Sequence, residues 1–181
     1  MYDYQYLRDN YPLIGEGRQG KVFQISPDRC LKYYDDPKHA VRERASYEAG
    51  QGSPIIPKLY EGGPNYIIIE YLQAPSLQQY LLGPGRMSKS LAKQILSALK
   101  EMERLGFTRI DVAPFHLFVM EDKKVKIIDL VNAFHKTSPV PYVLLSGLHS
   151  IGFLETFYGH VQNLDAKTAA KWAEVVDDLV R

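Results

Sequence analysis

The chain has 181 residues, which is enough for one substantial core or two small lobes but not for several independent domains. A hydrophobic content of 45% and a charged content of 24% are those of an ordinary soluble globule and exclude wholesale disorder. The 22 basic and 21 acidic residues leave a formal net charge of +1, which provides no global field for holding a nucleic acid, so any anion site must be local.

Targeting and membrane signals are not visible in the sequence. The first residues contain no basic segment followed by an apolar stretch, and no apolar run approaches membrane-spanning length. The single cysteine, Cys30, excludes an intrachain disulfide and fits a reducing compartment. We therefore expect a cytoplasmic protein without membrane insertion and interpret Cys30 as a small strand residue.

The first half of the sequence has the pattern of a strand-rich region. Four short runs are rich in β-branched and aromatic residues and are separated by turn signals, which predicts strands joined as hairpins. These runs are residues 22–25, 30–34, 57–60 and 65–72. Residues 38–49 are good helix formers that stop at a stretch of glycine and proline. The prediction is a sheet of about five strands with one helix.

The second half changes to helical spacing near residues 73–76. The predicted helices cover residues 88–105, 143–158 and 165–179, and they are preceded by a shorter helical run that begins at Leu77. Asp165 is the expected N-cap of the last helix. Two short strands are predicted at residues 117–120 and 125–128, joined by a charged turn. These changes predict one domain over residues 1–73 and another over residues 74–181.

A glycine-rich motif, GEGRQGKV at residues 15–22, is the first candidate nucleotide site. Its spacing occurs both in dinucleotide-binding folds and in the glycine-rich hairpin of protein kinases. A dinucleotide fold requires a helix after the glycines, whereas residues 21–25 alternate like a strand. A P-loop requires a helix as well, and it needs Ser or Thr where this chain has Val22. The motif therefore favours the kinase-type hairpin over these two folds, and a plain glycine-containing turn is the remaining alternative.

Two aspartates are candidates for phosphoryl transfer, because their segments resemble the catalytic loop and the metal-binding segment of protein kinases. Asp111 lies in RIDVAPFH, residues 109–116, and Asp129 lies in KIIDLV, residues 126–131. Phosphoryl transfer needs one carboxylate to orient and deprotonate the acceptor hydroxyl and another to hold magnesium at the phosphates. Asp111 and Asp129 can fill these roles in that order. Aspartates at strand ends also cap turns, which is the structural alternative for each.

From about residue 13 to residue 131 the sequence resembles the protein-kinase superfamily. Five motifs follow the family's order: the glycine-rich hairpin, the strand CLKY at residues 30–33, the hinge-like run IIIEYL at residues 67–72, and the two aspartate segments. The short chain is most similar to small atypical members, namely RIO-like and lipopolysaccharide-kinase-like proteins and small bacterial serine/threonine kinases. The resemblance implies a bilobal α+β fold, with an antiparallel sheet and one helix in the N-lobe and a reduced, mainly helical C-lobe.

The resemblance implies that the glycine hairpin covers ATP. Gly15, Gly17 and Gly20 let the backbone approach the triphosphate. Val22 packs on the adenine ring, and the backbone groups of Glu70 and Leu72 bond the edge of that ring.

The resemblance also implies a phosphate-binding lysine with an acidic partner. Lys32 occupies the family position, and an ammonium group inside an apolar strand requires an anion nearby. Glu43 on the following helix is the first choice for that partner, and Glu48 is the reserve. The alternative is that Lys32 faces outward at a sheet edge.

The aspartate segments imply the catalytic and metal-binding residues. Asp111 is the expected catalytic residue, and Asp129 is the expected ligand of Mg2+ or Mn2+. His116 stands where the family has a metal-binding asparagine, and a neutral imidazole suits a transition metal better than magnesium. Ala113 replaces the family lysine and Val131 replaces the family glycine, so this catalytic loop departs from the usual pattern.

The sequence as a whole predicts an ATP-dependent kinase, first of all a serine/threonine protein kinase, that transfers the γ-phosphoryl group to a hydroxyl. The acceptor is a protein or a small molecule that the sequence does not identify. Two alternatives stay open. One is a pseudokinase that binds ATP as a scaffold without turnover, and the other is a kinase for a small molecule such as a sugar or an aminoglycoside.

Overall fold

The computed structural model describes residues 2–181, and the chain forms two compact units. The first unit extends to Gln73 and also includes Asp129–Ala133. The second unit comprises Ala74–Ile128 and Phe134–Arg181. The segment that begins with the second predicted aspartate therefore belongs to the first unit, although its neighbours in sequence belong to the second.

The first unit contains an antiparallel five-stranded sheet with strand order β1-β2-β3-β5-β4. Its elements in chain order are helix α1 (Tyr4–Asn10), strands β1 (Leu13–Gly17), β2 (Gly20–Ser26) and β3 (Arg29–Tyr34), helix α2 (Pro37–Gly50), and strands β4 (Leu59–Gly62) and β5 (Tyr66–Glu70). Asp3 caps α1 by accepting a hydrogen bond from the N–H of Tyr6. Asp36 caps α2 in the same way through the N–H of Lys38.

The side chains of the sheet alternate between two covered faces. On one face, Leu7 of α1 packs in a buried cluster with four residues of the sheet. These four are Phe23, Leu31, Tyr66 and Ile68. On the other face, α2 packs against β3, β4 and β5 and buries the side chain of Tyr47. Residues two apart in β3 therefore share a face, which places Cys30, Lys32 and Tyr34 on the side of α2.

The second unit is mainly helical and contains one two-stranded hairpin. Its elements are helices α3 (Leu77–Leu82) and α4 (Lys89–Arg104), a 3-10 helix (Pro114–His116), strands β6 (Leu117–Val119) and β7 (Val125–Ile127), and helices α5 (Tyr142–Ser150), α6 (Leu154–Leu164) and α7 (Ala166–Val180). Phe157 of α6 and Trp172 of α7 stack with ring centroids 6.3 Å apart. Within residues 2–181, none of the helices is long and apolar enough to cross a membrane.

The predicted α+β arrangement with five antiparallel strands is confirmed, and three details of the prediction were wrong. Helix α1 was not predicted. The strand expected at residues 57–60 begins at Leu59 and continues to Gly62. The helix expected at residues 143–158 is two helices, because Gly152 adopts a φ of 78°, a left-handed conformation that ends α5. The N-cap role of Asp165 is confirmed, since its carboxylate accepts from the N–H of Thr168.

Candidate functional site

An ion cluster in the first unit is formed by Lys32, Glu43 and Asp129. Lys32 Nζ lies 2.7 Å from Glu43 Oε2 and 2.9 Å from Asp129 Oδ1. The Glu43 side chain is fully buried, whereas the Asp129 side chain keeps 30% of its surface exposed. One ammonium and two carboxylates carry a formal net charge of −1. This excess of negative charge at a partly exposed position favours a divalent cation.

The register of the sheet determines which face Lys32 occupies. Val22 is paired with Gly15 on one side and with Lys32 on the other, and Lys32 is paired in turn with Ile67. Paired residues on adjacent antiparallel strands point to the same face of a sheet. Because α2 packs on this face and presents Glu43 there, the ammonium group reaches its partner without leaving the sheet.

The backbone at Asp129 has a conformation that few residue types adopt. Its φ is 64°, in the left-handed region, which aspartate tolerates better than most residues. The next residue, Leu130, donates its N–H to Glu43 Oε1 over 3.0 Å. The Lys32 ion pair and this hydrogen bond together hold the Asp129 segment in the first unit.

The charge state of Lys32 follows from two opposing effects. Burial alone would lower the pKa of Lys32, but the carboxylates of Glu43 and Asp129 outweigh it and raise this pKa above its usual value. Lys32 is therefore a fixed cation at physiological pH. Burial raises the pKa of Cys30 to about 12 despite the nearby Lys32 charge, so this thiol stays protonated.

The glycine hairpin is a tight two-strand structure in which Gly17 and Gly20 are paired. A Cβ atom at Gly20 would lie 1.9 Å from the carbonyl oxygen of Tyr33, so strand packing requires glycine there. A Cβ atom at Gly17 would meet no atom within 4 Å. Packing against β3 thus explains the glycine at position 20. At position 17, the glycine leaves the backbone uncovered at the tip of the hairpin.

The end of β5 contains the predicted hinge residues Glu70 and Leu72. The N–H of Glu70 donates to the carbonyl of Lys58 over 2.8 Å, so this donor is already used within the chain. The carbonyl of Glu70 lies 4.0 Å from the sulfur of Cys30, a weak donor. Leu72 is buried, and no group in residues 2–181 bonds to its backbone N–H or carbonyl. Leu72 therefore offers both a backbone donor and a backbone acceptor.

Asp111 lies in the second unit and holds the start of helix α5. Its Oδ1 atom accepts hydrogen bonds from the N–H groups of Val143 at 2.8 Å and Leu144 at 3.3 Å. The local N-cap position of α5 is Pro141, which makes no side-chain cap, so Asp111 supplies one from a distant part of the sequence. Burial raises the pKa of Asp111, and the two N–H groups offset this only in part.

His116 also lies in the second unit, at the end of the 3-10 helix. Its carbonyl accepts from the N–H of Ile128 over 3.0 Å, and its ring contacts the Phe115 ring edge to face at 4.4 Å between centroids. Among the residues described, no group of three or more His, Cys, Asp or Glu side chains is placed to hold a metal ion. A metal-binding role for His116 stays a prediction.

The predicted site residues are thus distributed over both units. Lys32, Glu43 and Asp129 meet in the first unit. Glu48 was the second choice as the partner of Lys32. Its Oε1 atom instead lies 3.4 Å from Nε of Arg44 on the same helix.

One further residue of the cluster, Tyr34, was not predicted from the sequence. Tyr34 donates its hydroxyl to Glu43 Oε2 over 2.7 Å. The alternation of side chains along a strand could have indicated this position, because Tyr34 follows Lys32 by two residues in β3 and shares its face.

The five-stranded antiparallel sheet of the first unit and the helical second unit define a protein-kinase-like fold. A solved structure of WbdD with the kinase inhibitor LY294002 matches the chain with a TM-score of 0.56 and 18% sequence identity. The match covers 82% of this chain and 38% of that one. The similarity at this level of identity concerns the fold alone, and it confirms the predicted α+β kinase-like fold.

Comparisons of sequence find similarity to protein kinases. YrzF of Bacillus subtilis (strain 168), named as a candidate serine/threonine-protein kinase, is 29% identical over 125 residues, which are 66% of this chain and 58% of YrzF. Sperm motility kinase 2B of Mus musculus is 34% identical over 98 residues, 45% of this chain and 20% of that kinase. The serine/threonine-protein kinase cds1 of Schizosaccharomyces pombe is 29% identical over 99 residues, 52% of this chain and 19% of cds1. The chain therefore covers little more than half of YrzF and about a fifth of the two longer kinases.

No protein-family model matches the chain. The predicted resemblance to the protein-kinase superfamily is nevertheless confirmed in both sequence and fold.

Proposed function

We propose that the chain is an ATP-dependent phosphotransferase that moves the γ-phosphoryl group to a hydroxyl, with a protein serine or threonine as the first-choice acceptor. The observation that supports this most is the ammonium group of Lys32, held 2.7 Å from Glu43 and 2.9 Å from Asp129. A fixed cation beside a partly exposed carboxylate can bind phosphate oxygens and a metal ion together. The similarity to kinases supports the same class of reaction.

The residues of the first unit fit ATP with a divalent cation. Gly17 leaves the hairpin backbone uncovered, Val22 offers an apolar side chain on the face of Lys32, and Leu72 offers a free backbone donor and acceptor. Asp129 provides a carboxylate, which is a hard oxygen ligand of the kind that Mg2+ prefers and Mn2+ accepts. When bound, the cation would neutralise charge between the phosphates.

In the second unit we assign to Asp111 the role of orienting the acceptor hydroxyl and taking its proton. The hydrogen bonds from α5 to Oδ1 fix the orientation of the carboxyl group and leave Oδ2 for the acceptor. The raised pKa of Asp111 brings this carboxylate closer to the pH at which a general base is effective. We keep His116 as a candidate ligand for a transition metal such as Mn2+.

A second candidate function is ATP binding without turnover, in a cytoplasmic scaffold protein. The observation that favours it is the cap that Asp111 forms on α5, because this bond gives the aspartate a structural role that does not require catalysis. The presence of His116 in place of an amide ligand points the same way.

Transfer of radiolabel from [γ-32P]ATP tests the proposed function. The native chain, Asp129→Asn and Asp111→Asn are incubated with Mg2+ or Mn2+ and with generic protein acceptors or with sugar and aminoglycoside acceptors. Asparagine retains the oxygen that caps α5, so loss of activity in Asp111→Asn reports chemistry and not folding. We expect transfer by the native chain that falls by about 100-fold or more in both variants. Native transfer no faster than that of Asp111→Asn would contradict the phosphotransferase and favour the second candidate.

A further inference from the structure

Two buried tyrosines lie beside the ion cluster of the first unit, and they differ in one respect. Tyr34 of β3 is 1% exposed and Tyr47 of α2 is fully buried. The Tyr34 hydroxyl donates a 2.7 Å hydrogen bond to Glu43 Oε2, whereas the Tyr47 hydroxyl has no hydrogen-bond partner in the described chain. Tyr47 is therefore a natural control for Tyr34, because both hydroxyls are buried but only that of Tyr34 is hydrogen-bonded within residues 2–181.

Glu43 accepts three hydrogen bonds in this environment. Lys32 Nζ and Tyr34 Oη share Oε2, each at 2.7 Å, and the backbone N–H of Leu130 donates to Oε1 at 3.0 Å. A fully buried carboxylate is stable in one position only when its oxygens are satisfied. Of the three donors, Tyr34 is a neutral group anchored in the sheet itself, so its position does not depend on a bound ligand.

Tyr34 contacts both members of the Lys32–Glu43 pair. The centroid of its ring lies 5.3 Å from Lys32 Nζ, and its hydroxyl donates a hydrogen bond to Glu43. Its backbone is paired with Gly20 next to the turn of the glycine hairpin, and its N–H donates to the carbonyl of Asn65 over 2.8 Å. The side chain is therefore fixed relative to the strands on either side of Lys32.

From these contacts we infer that Tyr34 is a positioning residue for the proposed nucleotide site, which holds the Glu43 carboxylate where Glu43 aligns Lys32 for the phosphates. The inference rests on the proposed function and adds a residue to that site. Burial and the negative charge of Glu43 raise the pKa of Tyr34 well above its usual value, so the hydroxyl keeps its proton and remains a donor.

The test compares Tyr34→Phe with the matched control Tyr47→Phe. The dissociation constant for ATP with Mg2+ is measured by calorimetry, and the backbone amide of Leu130 is followed by NMR without nucleotide, because that amide bonds to the other oxygen of Glu43. We expect Tyr34→Phe to weaken ATP binding by about tenfold and to move the Leu130 amide proton upfield. We expect Tyr47→Phe to change neither quantity.

A double-mutant cycle with Glu43→Gln shows whether Tyr34 acts through Glu43. In the Glu43→Gln background, removal of the Tyr34 hydroxyl should cost less than about twofold in ATP affinity, because the carboxylate that it positions is no longer there. Tyr34→Phe with native ATP affinity and an unmoved Leu130 amide would overturn the inference, as would an equal cost in both backgrounds. If the native chain itself binds no ATP, the proposed function is overturned, and this is visible before any variant is made.

Discussion

At the scale of single residues, the cluster around Lys32 shows how a charged lysine is accommodated inside a sheet. Its side chain is 14% exposed, and an isolated ammonium group there would lose its charge. The carboxylates of Glu43 and Asp129 instead keep the ammonium group charged, because they raise the pKa of Lys32. Removing one member of such a buried pair typically costs about 3–5 kcal/mol, because the remaining charge is left without a partner. A variant at Lys32 therefore reports folding as well as ligand binding, and substitutions of the partly exposed Asp129 are the cleaner test.

The glycines of the hairpin give a prediction at the same scale. Gly20→Ala should lower the free energy of unfolding by about 2 kcal/mol, because the new Cβ atom would lie 1.9 Å from the carbonyl oxygen of Tyr33. Gly17→Ala is the matched control, and its unfolding free energy should change by less than about 0.5 kcal/mol, since its Cβ meets no atom within 4 Å. Urea unfolding of both variants is the measurement, and equal losses of stability would contradict the packing role assigned to Gly20.

At the scale of secondary structure, the contact between Asp111 and α5 connects a predicted catalytic residue to helix stability. The helix begins after a proline that provides no cap, so its first N–H groups depend on Asp111. The same carboxylate is partly buried, and burial raises its pKa. The aspartate therefore stabilises the helix while it carries a charge that its surroundings disfavour.

We predict that Asp111→Asn is at least as stable as the native chain at pH 7, because asparagine keeps the capping oxygen and removes the charge. The folded-state pKa is raised, so the native chain loses stability as pH rises from the unfolded value of 3.8 through the folded value. The stability advantage of the variant should thus grow over that window and then stay constant. Asp111→Ala removes both charge and cap and should be less stable than Asp111→Asn by about 1 kcal/mol in denaturant titrations. An alanine variant as stable as the asparagine variant would exclude the cap.

The break between α5 and α6 gives a further prediction for these elements. Gly152→Ala should destabilise the chain by about 1 kcal/mol, because its φ of 78° disfavours a side chain. Gly159→Ala, inside α6 with open space around it, should instead stabilise the chain by about 0.5–1 kcal/mol through helix propensity. Melting temperatures of the two variants should move in opposite directions, and a rise in both would contradict the left-handed helix end.

At the scale of the whole molecule, the alternation of apolar residues predicted most of the strands of the first unit and the long helix of the second. It missed α1, which is seven residues long and contributes a single fully buried side chain, Leu7. A helix that short gives no sustained period to detect. The turn at Gly152 was missed because a glycine within an apolar helical run does not by itself fix a boundary.

The candidate site was predicted only in part from the sequence. The resemblance to kinases proposed Lys32, Glu43 and Asp129, and the structure places Lys32 Nζ within bonding distance of both carboxylates. The hydroxyl of Tyr34 was not proposed, because the resemblance assigned no role to that position. The cap that Asp111 forms on α5 depends on a contact between distant segments, which no local pattern encodes.

The central claim is that the first unit binds ATP with a divalent cation through Asp129 and Lys32. Calorimetric titration of ATP into the native chain, with Mg2+ and then with the metal removed by EDTA, tests this claim most directly, alongside Asp129→Asn and the surface control Lys58→Met. We predict saturable binding that weakens at least about tenfold without the metal and in Asp129→Asn, while Lys58→Met binds like the native chain. Absence of binding to the native chain at millimolar ATP, or equal affinity in native and Asp129→Asn, would contradict the claim.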